Sequence, residues 1–300
     1  MTRPVDALIE FLQAEQARGV SHVLLDDEAR EGLRNLYRAA IKGSKRRPAA
    51  EPRAAAAAPE AASAPATMDP ANSTEQLTES AMLASQQIPH EGDKTARLEA
   101  LRQQAAAWTG AKTLGTLRET LVFSTGNPDA RLMLIGEAPG YEEERRGEPF
   151  VGPAGQKLTD ILKAMGLARS DVYLSNIVKY RPAMARQATN NRKPSAAEMA
   201  VCMPWIEQEI SIVQPAAIVA LGGTAAEGLL KLAGAVGAMR GSWHEFRGIP
   251  VRVTYHPSYL LRNEAAREIK RQLWEDMLAV MEKLQIPISE AQQRYFLPKS

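Results

Sequence analysis

The sequence predicts a three-layer α/β fold, with helices flanking a central, mainly parallel sheet of four strands and a small helical hairpin ahead of it. Three observations carry that expectation. From Lys94 onward, four short apolar segments are each bounded by Gly, Pro or polar residues, as strands are. The intervals between them carry apolar stripes at helical spacing. Those intervals are also long enough for the crossovers that parallel pairing needs.

Taken in order, residues 1–43 predict the hairpin. Val5, Leu8, Ile9 and Leu12 form one stripe, and Leu33, Leu36, Tyr37 and Ala40 form another, with Asp26-Asp27 placed to cap the second helix. A hairpin this small buries little surface alone, so it is expected either to dock, with a protein as its partner, or to remain marginal. Between Pro48 and Asn72, 12 of 25 residues are Ala and 5 are Pro. Those prolines interrupt each alanine run before a helix nucleates, so residues 44–93 read as a disordered linker.

The domain that carries the chemistry is expected over residues 94–300. A helical approach with Leu98, Leu101 and Trp108 leads into strands at Arg131–Ile135, Val172–Val178, Ala216–Leu221 and Pro250–Thr254. One intervening helix carries Leu158, Ile161, Leu162 and Met165. The next carries Met199, Cys202, Ile206, Ile210 and Val213 behind the capping box Ser195-x-x-Glu198. A third helix starts near Thr224, and the last carries Leu273, Met277, Val280 and Leu284.

Composition narrows the function. The chain has 300 residues, with 37 Lys plus Arg against 35 Asp plus Glu, a formal net charge of +2. That excludes a strongly basic nucleic-acid coat but leaves room for a local basic face. No apolar run reaches the length of a membrane span, and the N-terminus lacks an apolar signal core, so a cytoplasmic protein with no membrane partner is expected. A single cysteine excludes an internal disulfide framework and any site built from several thiolates.

The unusual residues gather at strand ends. Gly136-Glu137-Ala138-Pro139-Gly140 follows the first strand, Asn176 closes the second, Gly222-Gly223 follows the third and His256-Pro257-Ser258 follows the fourth. Singly, each reads as a turn, a cap or a structural histidine. Together they fall on the carboxyl rim, where ligands of open α/β sheets bind. The rim offers a carboxylate, an amide, an imidazole, the aromatic Phe150 and several backbone N–H groups. Such donors suit an oxygen that gains negative charge, and an amide reads one edge of a planar heterocycle. No Walker A sequence, dinucleotide fingerprint or spaced metal-ligand cluster is present, so no metal site is expected.

These residues carry a resemblance. Gly136-Glu137-Ala138-Pro139-Gly140-Tyr141-Glu142-Glu143-Glu144 and Gly147-x-Pro149-Phe150-Val151-Gly152-x-Ala154-Gly155 resemble the first motif of the family 4 uracil-DNA glycosylases. Asn176-Ile177-Val178-Lys179-x-Arg181-Pro182, Asn191-Arg192-x-Pro194 and Thr254-Tyr255-His256-Pro257-Ser258-Tyr259-Leu260-Leu261-Arg262 are similar to its later motifs, in order. The resemblance implies the fold of that superfamily and release of uracil from DNA by base flipping, with uracil-containing DNA as substrate and a domain acting as a monomer. It further implies that Gly136, Ala138, Phe150 and Asn176 bind uracil, and that Glu137, Glu143 and His256 are catalytic. Ser258, Lys179, Arg181 and Arg262 are expected on DNA phosphates, joined in that track by Arg192. Leu260 or Leu261 is expected to fill the gap left by the extruded base, with ordinary packing as the other reading. A catalytically weak uracil- or damaged-DNA sensor, or a repair or replication adaptor, is the alternative function.

One departure is chemical. Family 4 enzymes resemble one another in holding a [4Fe–4S] cluster on four cysteines. Here Thr109, Lys112 and Tyr180 stand at three of those positions and only Cys202 remains, so the cluster is expected to be absent and no cofactor is expected. The segment Ala183–Asn190 contains Arg but no His, which removes the expectation of covalent uracil trapping.

Overall fold

The structure is a computed structural model and describes residues 70–88, 92–262 and 267–296. The hairpin over residues 1–43 and most of the linker lie outside the described residues. All that is described belongs to one compact unit, residues 66–300.

Pro70–Gln86 forms a helix, α1, inside the segment expected to be linker. Prolines are dense only up to Pro70, and beyond it Leu77, Ala81, Ser85 and Ile88 fall on one face. Ala81 and Ser85 are fully buried on that face. Helix α2 (Lys94–Ala107) and the short α3 (Gly110–Leu114) follow. Strands β1 (Leu117–Leu121), β2 (Ser124–Gly126) and β3 (Leu132–Gly136) lead to α4 (Tyr141–Arg146) and α5 (Pro153–Ala164). A 3₁₀ turn at Arg169–Asp171 precedes β4 (Tyr173–Asn176) and β5 (Tyr180–Pro182).

Helix α6 (Ala196–Val213) opens with the expected capping box. The Glu198 N–H donates to Ser195 Oγ at 3.2 Å, and the Ser195 N–H donates to the Glu198 carboxylate at 2.7 Å. Next come β6 (Ala217–Leu221), α7 (Gly223–Leu230), α8 (Val236–Met239), β7 (Trp243–Phe246) and β8 (Ile249–Thr254). Helices α9 (Pro257–Arg262), α10 (Arg267–Lys283) and α11 (Glu290–Gln293) complete the described chain. Helix α6 packs against both α1 and α2.

The main sheet has six strands in the order β2-β4-β3-β6-β8-β7. Its centre, β4-β3-β6-β8, is parallel throughout and consists of the four strands expected from the sequence. Strands β2 and β7 add antiparallel edges, and β1 pairs with β5 in a separate two-stranded ribbon. Every residue of β3 and β6 is buried. Along β3, Leu132 and Leu134 face one apolar cluster while Met133 and Ile135 face the other, the period-two alternation of a sheet covered on both faces.

The connections position the site. From β3 the chain runs to β4 on one side, then crosses to β6 on the other. That reversal of strand order opens a crevice at the carboxyl ends of the parallel strands.

Candidate active site

The crevice begins at Gly136, the last residue of β3. A Cβ there would lie 2.4 Å from Asn176 Oδ1 and 2.6 Å from Phe150 Cζ, so glycine is what lets the ring and the amide converge. Asn176 sits at the end of β4, directly across the parallel ladder from Gly136. It is buried, yet no hydrogen bond among the described residues engages its amide. Both poles of that amide are therefore available to a ligand.

Phe150 is also buried, and it has φ +57°. Its ring lies 6.3 Å from the His256 ring at an interplanar angle of 30°. The loop that carries it is tied by Glu143, whose carboxylate accepts from the N–H groups of Gly140, Val151 and Gly152 at 3.1, 3.1 and 2.8 Å. Glu143 was expected to be catalytic. Its oxygens are instead occupied by backbone donors of its own loop, which makes it a frame for Phe150.

His256 follows β8. Its Nδ1 lies 3.2 Å from the Ser258 N–H and 2.8 Å from Ser258 Oγ. A backbone N–H only donates, so Nδ1 is the acceptor and the neutral ring carries its proton on Nε2. Burial, reinforced by the charge of Arg262, lowers the His256 pKa to about 4. The imidazole is thus neutral at physiological pH and presents an N–H donor. Ser258 was expected on a phosphate; here its hydroxyl faces His256.

Glu137 follows β3 and is half-buried. Thr224, in the first turn of α7, donates its hydroxyl to Glu137 Oε2 at 2.6 Å. Burial raises the Glu137 pKa, while Thr224, Lys193 and Arg262 act against the rise. From the sequence, Thr224 marked only the start of a helix. Its place two residues past Gly222, on the same rim, was the available signal.

The expected phosphate track divides. Arg262 is exposed at the end of α9, within electrostatic reach of both His256 and Glu137. Lys179 and Arg181 do not reach the surface. Lys179 is fully buried, with Nζ 2.5 Å from Glu209 and 2.6 Å from Ser175 Oγ, and burial lowers its pKa. Arg181 is 2% exposed and donates to Glu144, Asn191 and the carbonyls of Ala188 and Asn190. It ties down the segment Ala183–Asn190. Arg192 forks onto Glu198 at 2.6 and 2.8 Å. Lys179 and Arg181 found carboxylates 30 and 37 residues away, which charge type alone does not reveal.

Leu260 is likewise removed from the base gap, because it is buried in the core where α9 packs on α5. Leu261 is half-buried and lines an open groove of about 690 Å³ together with Arg145, Arg146, Gln156 and Lys157.

The corner expected to replace an iron–sulfur cluster has a donor set that does not fit one. Thr109 and Lys112 are exposed, and the Tyr180 hydroxyl donates to the Ala105 carbonyl at 3.0 Å. Cys202 is fully buried, and burial pushes its thiol up to about 11. A four-thiolate cluster cannot be assembled from one cysteine. Among the described residues, no group of three or more His, Cys, Asp or Glu could hold a metal ion. The space is packed by Trp108 and Trp205, edge to face at 5.8 Å, and the Trp108 Nε1–H reaches Ser80 Oγ of α1 at 3.3 Å.

No helix among the described residues is long and apolar enough to cross a membrane. Comparison with known proteins gives a match to the uracil DNA glycosylase superfamily model over residues 123–278. The chain is similar to the type-4 uracil-DNA glycosylase of Thermotoga maritima, 40% identical over 53% of this chain and 81% of that protein. The type-4 uracil-DNA glycosylase of Pyrobaculum aerophilum is 39% identical over 50% of this chain and 78% of its own length. The type-5 uracil-DNA glycosylase of the same organism is 34% identical over 45% and 64%.

Proposed function

The chain belongs to the uracil-DNA glycosylase superfamily, and from that membership we propose that it hydrolyses the N-glycosidic bond of deoxyuridine in DNA and releases uracil. The observation that carries the reading is the convergence of Phe150 and Asn176 over Gly136, beside a neutral imidazole whose Nε2–H is free to donate.

A base inside a duplex is unreachable, so the nucleotide is extruded into the crevice. Phe150 supplies the stacking face. Asn176 accepts from the uracil N3–H through Oδ1 and donates to the adjacent carbonyl through Nδ2. As the bond between the sugar C1′ and uracil N1 breaks, the electron pair leaves with the base. His256 Nε2–H then stabilises the anion by donating to its oxygen. Glu137 faces the positive charge that develops on the sugar. Oε2 is held by Thr224, and Oε1 has no partner among the described residues, so it can orient a water and take its proton as the oxygen joins C1′.

The donor set further supports activity without an iron–sulfur cluster. The chemistry is assigned to the body from residue 94 onward, with α1 packed on it, and residues 1–43 are left to a protein partner. Work on DNA with an unpaired cysteine fits the reducing cytoplasm.

Single-turnover release of uracil from a uracil-containing oligonucleotide tests the reading, with a thymine-containing strand as control. Release from the first strand alone is the expected result. Binding of both strands without release would transfer the site to a sensor.

A further inference from the structure

Phe150 is an aromatic residue at φ +57°, a backbone region that residues other than glycine seldom enter unless the surroundings impose it. Something must hold it there. Glu143 binds the amides that follow it, those of Val151 and Gly152. On the other side stands Arg169, in the 3₁₀ turn before β4. It donates Nη1–H to the Phe150 carbonyl at 2.9 Å and Nη2–H to the Pro149 carbonyl at 3.1 Å. The Phe150 carbonyl is also pressed against Gly155, where a Cβ would lie 1.8 Å from the oxygen, so this peptide has no room to rotate.

From this geometry we infer that Arg169 is a positioning residue for base recognition. Its guanidinium holds two consecutive carbonyls and thereby fixes the ring of Phe150 over Gly136. The inference rests on the uracil-releasing function proposed above. A planar fork suits the task, because its two N–H groups sit at a fixed spacing that matches adjacent carbonyls, whereas an ammonium satisfies one at a time. Arg169 touches neither base nor sugar, so its effect must pass through Phe150.

The test uses the full chain with Arg169→Gln, Arg169→Lys, Phe150→Ala and the two double variants that combine Phe150→Ala with a change at Arg169. Single-turnover release of uracil is read alongside affinity for thymine-containing DNA. We expect Arg169→Gln to slow release about tenfold or more, with DNA affinity within about twofold and Arg169→Lys intermediate. In the Phe150→Ala background, the change at Arg169 should have no further effect. An equal loss in that background, or a wild-type rate for Arg169→Gln, overturns the inference. Should Arg169→Gln not fold, Arg169→Lys decides by the same comparison.

Amide hydrogen exchange across residues 148–155, without DNA, gives a readout independent of activity. Faster exchange confined to that loop in Arg169→Lys supports the clamp even if the wild-type chain releases no uracil, a result that counts against the function alone. Unchanged exchange overturns the clamp whatever the activity.

Discussion

The backbone N–H of Ser258 fixes the tautomer of His256. It points at Nδ1 from 3.2 Å and leaves the ring proton on Nε2. With a pKa lowered to about 4, the imidazole stays neutral from there upward. His256→Ala should slow uracil release by roughly 10²–10³-fold, the usual loss for one donor to a developing anion. DNA affinity should hardly change. Single-turnover kinetics beside a binding isotherm separates the two, and the wild-type rate should show no step near the ordinary histidine pKa.

Asn176→Ala removes a donor and an acceptor at once. Uracil release should fall by about 10²-fold or more, because the base edge is left unpaired in a buried site. Competition by free uracil should weaken in parallel, which can be read as a loss of product inhibition.

Glu137 must be ionised to face a cationic sugar, and its pKa is raised by burial. The rate should therefore fall on the acid side at a pH above the ordinary glutamate value. The Thr224 hydroxyl opposes that rise, so Thr224→Val should move the acid limb to higher pH and Thr224→Ser should restore it. The raised value also means that ionised Glu137 costs stability, fully so above its folded pKa. Glu137→Gln should accordingly raise the melting temperature at neutral pH and lose that advantage in acid.

The parallel core and its rim were legible in the sequence because the four inner strands are apolar and end in residues with little reason to cluster. The edge strands were not. β1 reads Leu117-Arg118-Glu119-Thr120-Leu121 with its middle exposed, and β2 has only three residues, too few for a period to show. Helix α1 was hidden by the Ala/Pro tract before it. At the site, Asn176 and His256 stood out by their place at strand ends, whereas Phe150 lies in a loop and its role came only from the family resemblance. Lys179 and Arg181 were misread because their partners, Glu209 and Glu144, come from other elements. Thr224 and Arg169 act through contacts that only the folded chain creates.

Helix α1 changes what truncation should do. Residues 1–93 include no rim residue, yet their removal strips Ala81 and Ser80 from α6 and Trp108. The shortened chain should melt several degrees lower, since even about 1 kcal/mol shifts a domain this size by roughly 2–4 °C. Uracil release should persist below that melting point. Thermal denaturation paired with activity at low temperature checks both halves.

Arg262 and Lys179 should part company as cations. Arg262→Ala should weaken binding to all DNA and flatten its salt dependence, as the loss of a phosphate contact does. Lys179→Ala leaves Glu209 buried without its partner, and roughly 3–5 kcal/mol of stability should go with it. Binding at two salt concentrations and chemical denaturation tell these effects apart.

The indole pair at Trp108 and Trp205 bears on durability in the cell. Here the sole thiol is shut away from solvent and stays protonated, because its pKa is pushed up to about 11. Thiolate is the form that oxidants attack, so Cys202 offers them almost nothing. The corner is instead filled by two indole rings in edge-to-face contact at 5.8 Å, groups with no thiolate to oxidise.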